Sequence, residues 1–181
     1  MAGLVHDVAS LAATIEQAAA GDRIAFSRIV AAYHADMVRV AFVVAGGDQD
    51  VAEDAVQAAW SIAWRKLRSL RDPGSVKPWL LKVAANEARQ FIRRERRHPV
   101  VEIAAGQLDP TAVDPAARAG DLDLENAFRH LSPDDQALLA LRYVSGLDSS
   151  EIASATGTSD SAVRGRIARA VGRLRRELTD D

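Results

Sequence analysis

The stretch "SSEIASATGTSDSAVRGRIARAVGRL" (Ser149–Leu174) decides how the rest of the chain is read. It divides into a short helix, a turn around Gly157, and a second helix crowded with arginine. "DSSE" (148–151) carries the capping signal of an acceptor side chain followed by Glu three residues on, and Gly157 suits the left-handed position that closes a helix. Ser159 or Asp160 then caps the last helix. In that helix Val163, Ile167, Val171, Leu174 and Leu178 step by three or four residues, an apolar stripe to pack against Ile152 and Ala153. The opposite face presents Ser161, Arg164, Gly165, Ala168 and Gly172, with Arg166, Arg169, Arg173 and Arg176 along the flanks. A helix-turn-helix sets the N-terminal residues of its second helix against base edges in the major groove and its flanking cations on phosphates. Arg164, in the first exposed turn, is the candidate for bidentate contact with guanine, and the small Gly165 and Ala168 let the backbone approach closely.

Such a unit needs much less than 181 residues, so the preceding chain has its own task. Aromatic residues make up 5% of the composition, and alanine, the strongest helix former, is abundant throughout, which predicts an all-α protein. The absence of cysteine removes disulfides, thiolate metal sites and Cys nucleophiles. "MAGLVHDVAS" lacks the basic region and apolar run of a secretory leader, and no apolar stretch approaches a membrane span. A cytoplasmic protein without membrane insertion is expected. His6, His34, His98 and His130 are scattered, without the spacing of metal ligands or of a catalytic triad. No catalytic residue, metal or cofactor is therefore expected, and the chain is not read as an enzyme.

The net charge of −2 conceals a partition. Residues 1–64 hold three Lys/Arg against eight Asp/Glu, residues 65–98 eleven against three, and residues 99–135 two against eight. Arg164 to Arg176 then contains six arginines and no acid. Two basic islands on patterned helices, separated by acidic sequence, point to two places where a polyanion is bound.

The segment "HPVVEIAAGQLDPTAVDPAARAGD" (98–121), with three prolines and two glycines, reads as a flexible linker between a first domain, 1–97, and a second, 122–181. Four helices precede it: about 5–20; one capped by Asp22 with the stripe Ile24, Phe26, Ile29, Val30 and Tyr33, running to about Val44; one capped by Asp48 or Asp50, with Val51, Ala55, Ala59, Ile62 and Ala63, running to about Leu70; and one from Trp79 to about Arg97. The loop "RDPGSVKP" (71–78) separates the last two. After the linker, Leu124, Ala127, Phe128 and Leu131 form a short helix. "SPDD" (132–135) starts another that ends near Gly146. In the fourth helix Lys82, Asn86, Arg89, Arg93 and Arg96 form one polar line, opposite Leu81, Ala84, Ala85, Ala88 and Ile92. A line of cations with an amide in it can follow a phosphate backbone and touch bases. Trp79 could stack on an unpaired base, but it reads better as core, as do Trp60 and Trp64.

"AEDAVQAAWSIAW" (52–64), "PWLLKVAANEARQFIRRERR" (78–97) and "EIASATGTSDSAVRGRIARAVGRLRREL" (151–178) together resemble bacterial RNA polymerase sigma factors of the extracytoplasmic-function group, over most of residues 21–178 and in the family's order. The resemblance implies core RNA polymerase, promoter duplex and the non-template single strand as partners, with an anti-sigma factor as a possible regulator. It also implies roles for particular residues. Asp50, Glu53, Asp54 and Gln57 would dock on the polymerase clamp helices. The 71–78 loop would capture a flipped base, and Lys77, Trp79, Lys82, Asn86, Arg89, Arg93 and Arg96 would serve the downstream element. Ser161, Arg164, Gly165, Arg166, Arg169 and Arg173 would serve the upstream one. The chain departs from the family pattern at Ala58, where an acid is usual, at Gln90, where Asp is frequent, and at Arg164-Gly165-Arg166, where Lys-Ser-Arg is frequent. The acidic linker is similar to the segment that family members thread through the polymerase interior. The rival reading is a helix-turn-helix regulator that binds duplex DNA unaided, as a dimer on symmetric half-sites.

Overall fold

The computed structural model describes residues 2–70, 72–97 and 115–179, and the side chains of 10–70, 72–94 and 123–179. Every regular element among them is helical. The first four helices are α1 (Ala2–Ala19), α2 (Arg23–Val44), α3 (Gln49–Lys66) and α4 (Val76–Arg97). The chain starts α2 where Asp22 accepts the amides of Ile24 and Ala25, and α3 where Asp48 accepts that of Val51. Two 3₁₀ turns, Leu67–Ser69 and Pro73–Ser75, join α3 to α4, so the fourth helix begins three residues before Trp79.

Alanine sets how closely these helices pack. Ala52, Ala55, Ala59 and Ala63 of α3 and Ala84 and Ala88 of α4 are wholly buried, beside Met37, Val40, Leu80 and Leu81. Small side chains at these positions let the helix axes approach, and the longer ones fill the gaps between them. Leu11, Ile15 and Ala18 bring α1 onto this core, and α1 also rests against both 3₁₀ turns.

Two apolar positions differ from the sequence pattern. Ile24 is 68% exposed, because the face of α2 toward the core at that end is taken by Ala25 and Ile29. Trp64, expected inside, is 38% exposed and packs one edge on Phe26, with ring centroids 4.9 Å apart. Trp60 is half-buried against the same phenyl ring, and its indole N–H donates to Nδ1 of His34 at 3.2 Å.

The second part comprises α5 (Pro115–His130), α6 (Pro133–Leu139), α7 (Ser149–Thr156) and α8 (Asp160–Glu177). Helix α5 starts inside the stretch read as a linker, so the Pro115 signal marks a first helical turn rather than a break. The remainder of that linker, 98–114, lies outside the described residues. Gln136 is buried and its amide donates to the carbonyls of Phe128 and Arg129, closing the end of α5. Helix α6 runs on into a π-helical turn, Ala140–Val144, tied off by Arg142 donating to the carbonyl of Leu147. That wider turn leaves Tyr143 and Val144 exposed.

The two parts share one continuous apolar cluster, from Ile15 to Ala170. Helix α4 packs against α6 and α7, and α2 packs against α6 and the π-helical turn. Leu81→Ala should cost about 2–5 kcal/mol, as expected for truncating a fully buried leucine. Ile24→Ala should change stability by no more than about 0.5 kcal/mol. Urea unfolding of the two variants measures both.

Candidate nucleic-acid interface

The helix-turn-helix is built by its caps. Asp148 and Glu151 form a reciprocal box, with the Glu151 amide donating to Asp148 at 2.8 Å and the Asp148 amide to Glu151 at 2.7 Å. Gly157 closes α7 at φ 69°, a conformation that favours glycine. Ser159 then accepts the amide of Ala162 and starts α8. Val163, Ile167 and Ala170 anchor α8 inward, whereas Leu178, expected in the same stripe, is 40% exposed at the last turn.

This rotation decides the fate of each arginine. Ser161, Arg164, Arg166 and Arg169 are exposed, and Gly165 is half-buried among them. Arg164 pairs with Asp160 one turn earlier, both largely in water. Such a pair contributes about 0.3–0.5 kcal/mol, so a phosphate or guanine can displace it at little cost. A Cβ added at Gly165 would meet only the Nη1 of Arg169, at 3.5 Å, so the site has room for the serine frequent in the family. Arg173 turns the other way. It pairs with Asp135, whose side chain is 10% exposed and also accepts from the Ser132 hydroxyl at 2.8 Å. Arg173 thus holds α8 to α6.

The second basic island lies on α4 and the turn before it. Asp72 accepts the Ser75 hydroxyl at 2.7 Å and the Gly74 amide at 3.0 Å. The serine hydroxyl first, and then the glycine amide, hold its carboxyl below the usual range. A lowered value stabilises the turn fully above the ordinary carboxylate range, and the effect is lost as pH falls from that range through the lowered value. Lys77 pairs with Asp36 at 3.2 Å, and Trp79 is half-buried against the core. Lys82, Asn86 and Arg89 line a cleft whose far wall carries Asp134, Thr156 and Arg166. Asp134 accepts from Arg89 and lies 3.7 Å from Arg93. Arg96 belongs to α4, but its side chain lies outside the described residues.

Gln90 donates to Glu87 at 2.8 Å, and Glu87 is 9% exposed. An aspartate at position 90 would lose this donor and set a like charge beside the Glu87 carboxylate. On α3, Asp50, Glu53, Asp54 and Gln57 are all exposed on the face away from α2 and α4. Asp134 and Asp135 are not legible in the sequence as partners of Arg89 and Arg173. The acids of "SPDD" signal only a helix start, and their pairing spans 38 and 45 residues of sequence.

Among the described residues no group of His, Asp and Glu could hold a metal, and no helix is long and apolar enough to cross a membrane. What remains is a two-part helical protein with a helix-turn-helix and a second cationic helix, the framework of a transcription factor with two nucleic-acid surfaces. Residues 29–98 match the family model for Sigma-70 region 2, and residues 121–174 that for Sigma-70 region 4. The chain is 34% identical over 135 residues to the RNA polymerase sigma factor CarQ of Myxococcus xanthus, covering 71% of this chain and 75% of that one. It is 35% identical over 172 residues to a probable RNA polymerase sigma factor, RfaY, of Xanthomonas campestris, covering 91% of this chain but 43% of that longer relative. Among solved structures, CnrH in complex with the cytosolic domain of CnrY matches with a TM-score of 0.67 at 25% identity, over 93% of this chain and 96% of that one. The sigma factor RpoE in complex with the anti-sigma factor NepR from Bartonella quintana matches with 0.64 at 25% identity, over 86% and 98%. The chain belongs to the RNA polymerase sigma factors, in their extracytoplasmic-function group.

Arg173→Ala, which strands a nearly buried carboxylate, should destabilise the protein by about 1–2 kcal/mol, discounted for the partial exposure of the arginine. Arg169→Ala, in the same helix but in water, should cost no more than about 0.5 kcal/mol. Thermal unfolding of the pair separates the structural arginine from the surface one.

Proposed function

We infer that this chain directs promoter-specific transcription by holding core RNA polymerase and reading two promoter elements in the cytoplasm, without catalysing a reaction. The observation that carries it is the pairing, in one chain, of an exposed helix-turn-helix with a second cationic helix, each within a sigma-factor region. Asp50, Glu53, Asp54 and Gln57 form the polymerase-docking face. Arg164, with Ser161, Gly165, Arg166 and Arg169, reads the upstream duplex, and Arg173 braces the helix behind them. Asn86, Lys82, Arg89, Arg93 and Arg96, with Lys77, Trp79 and the Asp72-braced turn, engage the unpaired downstream strand. Removing a base from its stack costs a few kcal/mol, which stacking and pocket contacts offset. The solved relatives bound to CnrY and NepR support an anti-sigma partner for this chain as well. A lone duplex-binding regulator is disfavoured, because residues 29–98 would then have no task.

Transcription of a random-promoter pool by purified core polymerase, with and without this chain, tests the reading. Start sites that depend on the chain and share two spaced upstream motifs are the expected result. Specific duplex binding by the lone chain, without such start sites, would replace the reading with the regulator. On a promoter so found, Arg164→Ala should lower initiation by roughly tenfold, the share of one bidentate base contact. Promoter binding should also weaken steeply with salt, since several arginines displace counterions.

A further inference from the structure

The turn that the sigma-factor reading gives to base capture is held from outside as well as from within. Inside it, Asp72 accepts the Gly74 amide and the Ser75 hydroxyl, and the Ser75 amide donates to the Asp72 carbonyl at 3.0 Å. A Cβ added at Gly74 would stand 3.3 Å from the Asp72 carboxylate, so the chain folds tightly around this glycine. Outside it, α1 rests against both 3₁₀ turns, and Val76, Pro78 and Leu80 bury the start of α4.

Lys77 ties the remaining side. It falls outside the steps of three and four that join Lys82, Asn86, Arg89 and Arg93 into one line. It also sits in the first turn of α4, where the helix macrodipole disfavours a cation. Its ammonium reaches Asp36, on α2, at 3.2 Å, and that carboxylate, 25% exposed, takes Arg39 on its other oxygen. Asp36 thus links the middle of α2 to a residue two positions past the 73–75 turn.

Resting on the sigma-factor reading of this turn, we propose that Asp36 is a positioning residue for base capture: by holding Lys77 it keeps the turn in its capturing form before the strand arrives, and Lys77 serves as the anchor of that turn rather than as a cation for the strand. A turn already ordered meets no ordering cost when the base enters, so the brace raises the fraction of chains competent to capture it. A strand cation at Lys77 would have the opposite consequence. Asp36 would then compete with phosphate for it, and removing Asp36 would strengthen capture.

The sign of that effect is the test. Holoenzyme is assembled from core polymerase and the full chain on a promoter from the random pool, with 2-aminopurine placed in turn along the downstream motif of the non-template strand. Its fluorescence rises where a base leaves the stack. Asp36→Ala and Lys77→Ala should each lower the unstacked fraction by roughly twofold to fivefold, the span of one partly exposed ion pair. The double variant should be no worse than either single one, because both remove the same contact. Asp36→Glu should retain the signal. Affinity for core polymerase and for the upstream duplex, which a general loss of structure would lower, should stay the same. A rise in capture with Asp36→Ala beside a fall with Lys77→Ala overturns the proposal and makes Lys77 a strand cation. Additive losses overturn the action through one contact, and unchanged capture in both variants overturns the role of the pair; each leaves the sigma-factor reading intact. A wild-type holoenzyme that unstacks no base would overturn that reading, and the inference with it.

Discussion

Between α2 and α3 on one side and α6 and α7 on the other, α4 buries Leu80, Leu81, Ala84 and Ala88 in the first core and sets Arg89 and Arg93 against Asp134. The two contacts differ in kind. A fully buried leucine contributes about 1.5–3 kcal/mol, while a partly exposed ion pair contributes about 0–1 kcal/mol. The ion pair is not the whole of the second attachment: Leu138, Leu141 and Ile152 join the same buried cluster, so apolar packing carries both contacts and the ion pair adds to the second. Helices α2 and α3 pack on α4, and α6 and α7 rest on it as well.

The run of arginines in α8 shows the same division within a single helix. The inward rotation set by Val163, Ile167 and Ala170 turns Arg173 onto the nearly buried Asp135, and turns Arg164 and Arg169 to water. A guanidinium held by a desolvated carboxylate is costly to remove, whereas one on an exposed i,i+4 partner is nearly free to leave. Residues of one type, a few positions apart, thus become a brace between helices and exposed surface cations. Gly165 sits between them with space for a side chain, so its use of glycine does not come from crowding in this fold.

Local features were legible in the sequence with good fidelity. Asp22, Ser132 and Asp148 cap where their spacing predicts, Asp48 and Ser159 are the ones that cap out of the pairs Asp48/Asp50 and Ser159/Asp160, and Gly157 takes the left-handed turn. These are interactions over two to four residues, and the pattern contains both partners. Ends and orientations were less legible. Pro115 starts α5 inside a stretch whose composition predicts a linker, and Ile24, Trp64 and Leu178, which the pattern places inside, are exposed. Each lies at or near the end of a helical stripe, where neighbouring helices and not periodicity decide what is covered.

The sequence by itself determined the helices, their caps, the helix-turn-helix, the two cationic islands and, through its motifs, the family. All of these are fixed by residues close together in the chain or by characteristic combinations of them. Tertiary structure alone decided which cations are free. Asp134 meets Arg89 across 45 residues, and Asp135 meets Arg173 across 38, and no periodicity encodes either meeting. Charge can be counted along a chain, but whether it faces water or a carboxylate depends on which helices pack together. Here, that packing turns one cationic helix inward and leaves the other open.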